Sequence, residues 1–322
     1  MGQLVTSDLK PTISEIEEAS KRIEGIAWRT PLFPASRHDT DVFLKLECLQ
    51  RNGSFKIRGA WNRMSRTKTE ERARGFVTVS AGNHGQAVAW CARHLGSKCT
   101  VWVPDDAVEK KVKAMEAMGA IIKRMPEVEI MNSMTDDRWE KAEEIYIHPF
   151  GDRYVIAGQG TVGLEIIGNI PEVRTVIVPV GGGGLISGIG TAIKSKKPSV
   201  KIYGVQAELA APIIASFKSG KPERIDTGKT FADGIATDRV FKYMWPVMRE
   251  VMDGAFAVSE DEMRAAIRHL ASEVHIVAEG AGSAALAAAW KYSGQLEKPI
   301  ACVISGGNID DAALSSIISE KV

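Results

Sequence analysis

Cysteine is scarce in this chain. Cys48, Cys91, Cys99 and Cys302 are the only four, with no Cys-x-x-Cys spacing. That argues against a disulfide scaffold and the common zinc patterns, and it fits thiols kept in a reducing cytoplasm. An excess of charge of one sign is also missing. Lys and Arg number 41 against 40 Asp and Glu, a formal net charge of +1, so nothing global draws the protein to nucleic acid or an anionic membrane. Long apolar runs are absent, and no stretch is suited to crossing a bilayer. Met1-Gly2-Gln3-Leu4-Val5 carries neither a basic region nor an apolar core, so a secretory signal is not expected. Two nucleotide signatures fail as well. The glycine-rich turn at Gly181 lacks the Gly-Lys-Ser/Thr of a P-loop, and Ser187 stands where a GxGxxG turn needs its third glycine.

What is present is an ordinary globular composition, 44% hydrophobic and 25% charged over 322 residues, enough chain for two lobes. The pattern alternates strand and helix. Thr12 to Gly25 places Ile13, Ile16, Ala19 and Ile23 among charges, an amphipathic helix. Short β-rich runs at 42–47, 76–80, 99–103, 119–122, 175–180, 201–206 and 300–304 are separated by helical stretches, which predicts βαβ units and parallel sheets. The spacing predicts helices over 59–71, 87–95, 107–118, 139–145 and 283–290. A capping box at Ser259 and Glu262 predicts another over 259–272. Periodicity is weak from Met125 to Thr135.

Four stretches carry chemistry. The first is Gly53-Ser54-Phe55-Lys56-Ile57-Arg58-Gly59, a lysine set in a small-residue turn with apolar neighbours. Desolvation lowers a lysine's pKa and frees a neutral amine, able to form a Schiff base with a carbonyl cofactor. A surface lysine at a helix start is the plainer alternative. The second is Ser80-Ala81-Gly82-Asn83-His84-Gly85-Gln86, between a strand and a helix. Its N–H groups suit a carboxylate or phosphate, and Ser80, Asn83 and His84 add side-chain donors. A capped turn explains the same residues without a ligand. The third is Gly181-Gly182-Gly183-Gly184-Leu185. Successive glycines cost backbone entropy, and between a buried strand and a helix they let the backbone wrap an anion. The fourth is Ser305-Gly306-Gly307-Asn308 at a strand end, where a serine hydroxyl can meet a ring nitrogen.

Together these stretches, with Ala157-Gly158-Gln159-Gly160-Thr161, resemble the fold-type II pyridoxal-phosphate enzymes of the threonine dehydratase and serine racemase branch. The resemblance runs from about Thr12 to about Ile318. It implies an α/β fold of two parallel-sheet domains with the cofactor in the cleft between them. The large domain would comprise 1–65 and 152–322, and the small one 66–151. It makes Lys56 the Schiff-base lysine and sets Phe55, Asn83 and Glu279 against the cofactor. Gly181, Gly182, Gly183, Gly184 and Leu185 would hold the phosphate, and Ser305 would meet the pyridine nitrogen. Ser80, Ala81, Gly82, Asn83 and His84 would form the substrate-carboxylate loop. The implied activity is an ammonia-lyase acting on L-threonine or L-serine, in a dimer or tetramer.

Some residues depart from the family pattern. Racemases carry a second serine where this chain has Ala81, so dehydration should dominate. The family's divalent-cation site expects acids where this chain has Gln206 and Pro212, with Glu208 out of register, so no metal is expected. The segment 125–139 looks short and borders the small domain. Two alternatives stay open: another β-hydroxy amino acid, such as 3-hydroxyaspartate or phenylserine, or racemisation; and, more distantly, a dinucleotide-binding oxidoreductase. A substrate side chain carrying a carboxylate would need an extra cation, and Arg138 is the candidate.

Overall fold

The computed structural model describes residues 9–36, 41–136 and 138–320. The stretch Met1–Val5 lies outside them. Strands follow in chain order: β1 (Leu32–Pro34), β2 (Val42–Lys45), β3 (Phe76–Val79), β4 (Cys99–Pro104), β5 (Ile121–Met125) and β6 (Ile145–Tyr146), then β7 (Thr175–Pro179), β8 (Lys201–Ala207), β9 (Gly254–Val258) and β10 (Ile300–Val303). Among the described residues they form two sheets. The larger has the order β1-β2-β10-β7-β8-β9 and the smaller β5-β4-β3-β6. All pairings are parallel except β1 with β2. Parallel strands are covered on both faces, which explains the unbroken apolar runs: every residue of β3, β7 and β10 is buried.

The helix predicted at the N-terminus spans Ile13–Arg22, with Thr12 and Glu15 forming a capping box and Ile16 and Ala19 buried. The Ser259 capping box likewise starts a helix, Glu260–Ser272. Three expectations need correction. The helix placed over 59–71 begins at Lys56, ends at Met64, and is followed by a separate turn of helix, Thr69–Arg72. The helix at the second motif starts at Asn83 rather than residue 87. Only a 3-10 turn, Arg138–Lys141, occupies the predicted helix over 139–145. In its place Trp139 stacks on Tyr146 at 5.0 Å between ring centroids, and its indole N–H donates to Ser133. The segment of weak periodicity folds as a short helix, Glu127–Ser133.

The glycines of Ala157-Gly158-Gln159-Gly160-Thr161 lie inside the long helix Arg153–Asn169. There they admit close approach rather than a turn. A Cβ at Gly158 would sit 2.5 Å from the Arg58 carbonyl oxygen, and one at Gly59 would sit 2.4 Å from Gln159 Nε2. Small residues on both helices thus press the lysine-bearing helix against this one.

Candidate active site

Three of the four motifs follow the carboxyl ends of adjacent parallel strands. The Lys56 loop follows β2, Ser305 follows β10, and the glycine turn follows β7. Crevices outside the carboxyl ends of such strands are where α/β sheets bind ligands. The Ser80 loop follows β3 of the other sheet and faces the same space. Between them lies a cavity of about 410 Å³ lined by all fourteen residues singled out from the sequence: Phe55, Lys56, Ser80 to His84, Gly181 to Leu185, Glu279 and Ser305.

The first and fourth motifs are tied together by backbone. Ser54 and Gly306 form an isolated bridge, the Phe55 N–H donates to Ser305 O, and the Gly307 N–H donates to Gly53 O. Gly53 has φ +68°, and a Cβ there would fall 2.5 Å from Asn308 Oδ1, so the turn needs glycine. This zipper leaves Lys56 at the first turn of its helix. Its Nζ donates to the Pro149 carbonyl at 2.8 Å. Burial pulls its pKa down to about 8, with Glu279 opposing the shift.

Behind Lys56 is a charge cluster the sequence reading missed. Arg58 is 1% exposed. It pairs with Glu47 at 2.8 Å and Glu165 at 2.6 Å, and donates to Thr161 and to the Trp28 carbonyl. Lys45, fully buried, donates to Glu165 at 2.5 Å and to the Thr30 carbonyl at 2.6 Å. Two cations balance two carboxylates. Burial pushes the Glu47 carboxyl up, but Arg58, Lys45 and Thr30 outweigh it and hold it below the usual carboxylate range. The cluster fastens the lysine helix to β2 and to Arg153–Asn169. The advance signal was Lys45 and Glu47 alternating with Leu44 and Leu46 in a strand-like run.

The glycine turn is built to bring backbone to a ligand. Gly183 has φ +91° and is the N-cap of helix Gly184–Lys196, with no side chain capping it. A Cβ at Gly182 would lie 2.2 Å from the Phe150 ring, and one at Gly181 would lie 2.6 Å from the Gly234 carbonyl oxygen. First-turn N–H groups left uncapped suit an anion.

The second motif lines the cavity, yet its side chains are spent differently from the expectation. Asn83 Nδ2 donates to Glu279 Oε1, and Asn308 Nδ2 donates to Asn83 Oδ1, both at 2.7 Å. Ser80 Oγ accepts from the Gly82 N–H. His84, 2% exposed, uses Nε2 to donate to the Ile147 carbonyl at 3.1 Å, and burial drives its pKa well below the usual value. It is therefore neutral, with Nδ1 an unpartnered acceptor. The donors left to this loop are backbone N–H groups, the Ser80 hydroxyl hydrogen and the second amide hydrogen of Asn83. Burial also raises Glu279 to about 7, the Asn83 bond offsetting part of the shift.

Arg138 does not line the cavity. It pairs with Asp136 and Glu129, because carboxylates within reach on its own segment capture it. Besides Lys56, the cation that lines the cavity is Lys111, bonded to Asp233 at 2.7 Å. Beside it Lys110 bonds Asp311 at 2.6 Å. Gln206 is occupied: Nε2 donates to the Val180 carbonyl, and Oε1 accepts from the Ile213 N–H, each at 2.9 Å. Among the described residues no group of three or more acidic, His or Cys side chains is placed to hold a metal ion. All four cysteines are buried and none forms a disulfide. Burial pushes Cys48 and Cys99 up to about 12. No helix among the described residues is long and apolar enough to cross a membrane.

Comparison with known proteins agrees with this geometry. The L-threonine ammonia-lyase of Thermotoga maritima is 40% identical over 320 residues, covering 96% of this chain and 78% of that protein. The L-threonine dehydratase catabolic TdcB of Escherichia coli K12 is 40% identical over 329 residues, covering 97% and 98%. Among solved structures, maize serine racemase superposes with a TM-score of 0.88 at 32% identity, covering 95% of this chain and 96% of that one. A family model described as pyridoxal-phosphate dependent enzyme matches residues 23–306, a span from the end of the first helix into the Ser305 turn; the chain belongs to that family, and the dinucleotide-binding alternative falls.

Proposed function

We propose that this protein is an ammonia-lyase that dehydrates and deaminates a β-hydroxy amino acid, giving 2-oxobutanoate from L-threonine or pyruvate from L-serine, with ammonia. One observation carries the reading. A desolvated lysine, a four-glycine anion cradle and a carboxylate-sized N–H loop converge on one cavity, in a chain 40% identical to a protein named L-threonine ammonia-lyase.

The residues present fit pyridoxal phosphate. The turn at Gly181 to Leu185 excludes side chains by the contacts of Gly181 and Gly182 and offers uncapped N–H groups, so it would hold the phosphate. Lys56 would hold the carbonyl carbon. Ser305 would face the ring nitrogen, with Phe55, Asn83 and Glu279 along the ring. When bound, the cofactor supplies an electron sink for the charge left at the substrate Cα.

The chain supplies the proton transfers and the orientation. Lys56 titrates near 8 rather than near its ordinary 10.5, so a useful fraction is neutral at mildly alkaline pH and Nζ can take the Cα proton. The same Nζ, then charged, can return a proton to the departing β-hydroxyl, a poor leaving group otherwise. The Pro149 carbonyl fixes the direction of the amine. N–H groups at the head of helix Asn83–His94 would bind the substrate carboxylate. Ala81, on the same loop, has a methyl group that cannot exchange a proton, which favours elimination over racemisation.

Two lobes are proposed around the cavity, 66–151 carrying the smaller sheet and 1–65 with 152–322 the larger. The undisulfided, buried cysteines support a reducing cytoplasm. Phe33, 52% exposed on the edge strand β1, supports self-association into a homo-oligomer.

The test is a 2-oxoacid assay of the cofactor-loaded protein on L- and D-threonine and L- and D-serine, with Lys56→Ala alongside. Turnover of the L-amino acids that vanishes in the variant is expected. Undiminished turnover in Lys56→Ala would remove the mechanism.

A further inference from the structure

Three parts of the cavity's polar lining have a use on the reading above: the glycine turn, the Ser80–His84 loop, and the group formed by Lys56, Glu279 and Ser305. These are taken by the phosphate, the substrate carboxylate, and the ring and reacting carbons. What remains is available to the substituent on the substrate's β-carbon. The apolar part of that remainder is Ile130, Met131 and Met134 from the short helix and its end, together with Ile235 and Phe241; its polar members are Asp106, Lys111, Asp233 and Thr237.

Charge at this end disfavours an acidic side chain. Lys111 is neutralised by Asp233, and Asp106 also lines the cavity with no cation of its own shown. Arg138 is turned to Asp136 and Glu129.

The apolar wall is also held in place by side chains from both lobes, His148 after β6 and Tyr243. His148 Nδ1 accepts from the Phe150 and Gly151 N–H groups, so its proton is on Nε2, shared between the Met134 carbonyl at 3.3 Å and the Tyr243 hydroxyl oxygen at 3.2 Å. The Tyr243 hydroxyl donates to the same carbonyl at 3.1 Å. His148, Tyr243 and the Met134 carbonyl thus form one hydrogen-bonded group, which ties down the backbone carrying the Met134 side chain. Methionine is unbranched and adapts to apolar groups of different length.

We infer that this wall sets the substrate class: the enzyme takes a β-hydroxy amino acid with an apolar β-substituent longer than threonine's methyl, with Met131 and Met134 as specificity-determining residues. The inference rests on the ammonia-lyase reading, and its test separates the two.

Amino acids without the β-hydroxyl cannot be dehydrated, so their binding is read apart from the chemistry. Calorimetric titration of the cofactor-loaded protein with L-alanine, L-2-aminobutanoate and L-norvaline should show affinity rising about fourfold per added methylene. The kcat/KM for L-serine, L-threonine and L-threo-2-amino-3-hydroxypentanoate should rise in that order, through KM. Met131→Ala and Met134→Ala should each lower the norvaline-to-alanine affinity ratio severalfold. Met131→Leu and Met134→Leu, which keep apolar bulk, should preserve it. A flat or falling affinity series overturns the inference while threonine turnover leaves the ammonia-lyase reading intact. So does preferred turnover of 3-hydroxyaspartate. No turnover of any of these β-hydroxy amino acids overturns both.

Discussion

Where the larger sheet faces the cavity, charge is buried and shared; where the smaller sheet faces it, charge is paired in water. On the first side Arg58, Glu47 and Lys45 are almost wholly hidden, and each makes several bonds. On the second, Lys110 with Asp311 and Lys111 with Asp233 involve partners up to 85% exposed, and the edge strand β5 is mostly exposed. Buried pairs are costly to break and hold geometry; exposed pairs contribute little and exchange easily. The lysine and the glycine turn thus sit on a fixed base. Of the two exposed pairs, Lys111 with Asp233 lines the cavity, and breaking it costs little.

The comparison can be broken most severely at the glycine turn. Gly182→Val would drive a side chain into the Phe150 ring, where even a Cβ falls 2.2 Å away, and titration with pyridoxal phosphate followed by absorbance should show binding lost. Next, Arg58→Met leaves Glu47 buried without its main partner. Denaturant unfolding should record a loss of about 3–5 kcal/mol, with activity falling as Lys56 loses its support. An unchanged midpoint would show that the cluster does not brace the lysine helix.

A smaller effect should come from His148. Burial pulls its pKa down to about 4 from the usual 6.5, so the folded protein binds fewer protons than the unfolded chain between those values. Its contribution is fully present above pH 6.5 and is lost as pH falls towards 4, by up to about 3 kcal/mol. His148→Gln should flatten the acid limb of a stability–pH curve; an unaltered limb would assign it to other groups, His84 first. Least of all, Lys111→Ala should cost under about 1 kcal/mol of stability. It should instead shorten the time for which substrate is held, seen as a raised KM that added salt reproduces in the unaltered protein. A stability loss comparable with that of Arg58→Met would erase the contrast between the two sides.

Much of the site was legible because its chemistry depends on local sequence. A strand, a glycine turn and a helix are decided by residues next to one another. The four motifs announced their loops for that reason, and all fourteen chosen residues came to line one cavity. Helix starts were less legible, as at Lys56 and Asn83, because neither helix has a side-chain cap to mark it.

The sequence by itself determined the alternation of strands and helices, the capping boxes at Thr12 and Ser259, and the loops that meet at the cavity. Tertiary structure alone decided which polar side chains are spent holding others. Asn83 is turned to Glu279 across 196 positions and His84 to Ile147. Lys45 and Arg58 are joined through Glu165, more than a hundred residues away. It also decided that Arg138 faces its own carboxylates while Met131 and Met134 line the cavity. A hydrogen bond or an ion pair needs two groups within about 3 Å, and distances of that kind between remote residues arise only when the chain packs.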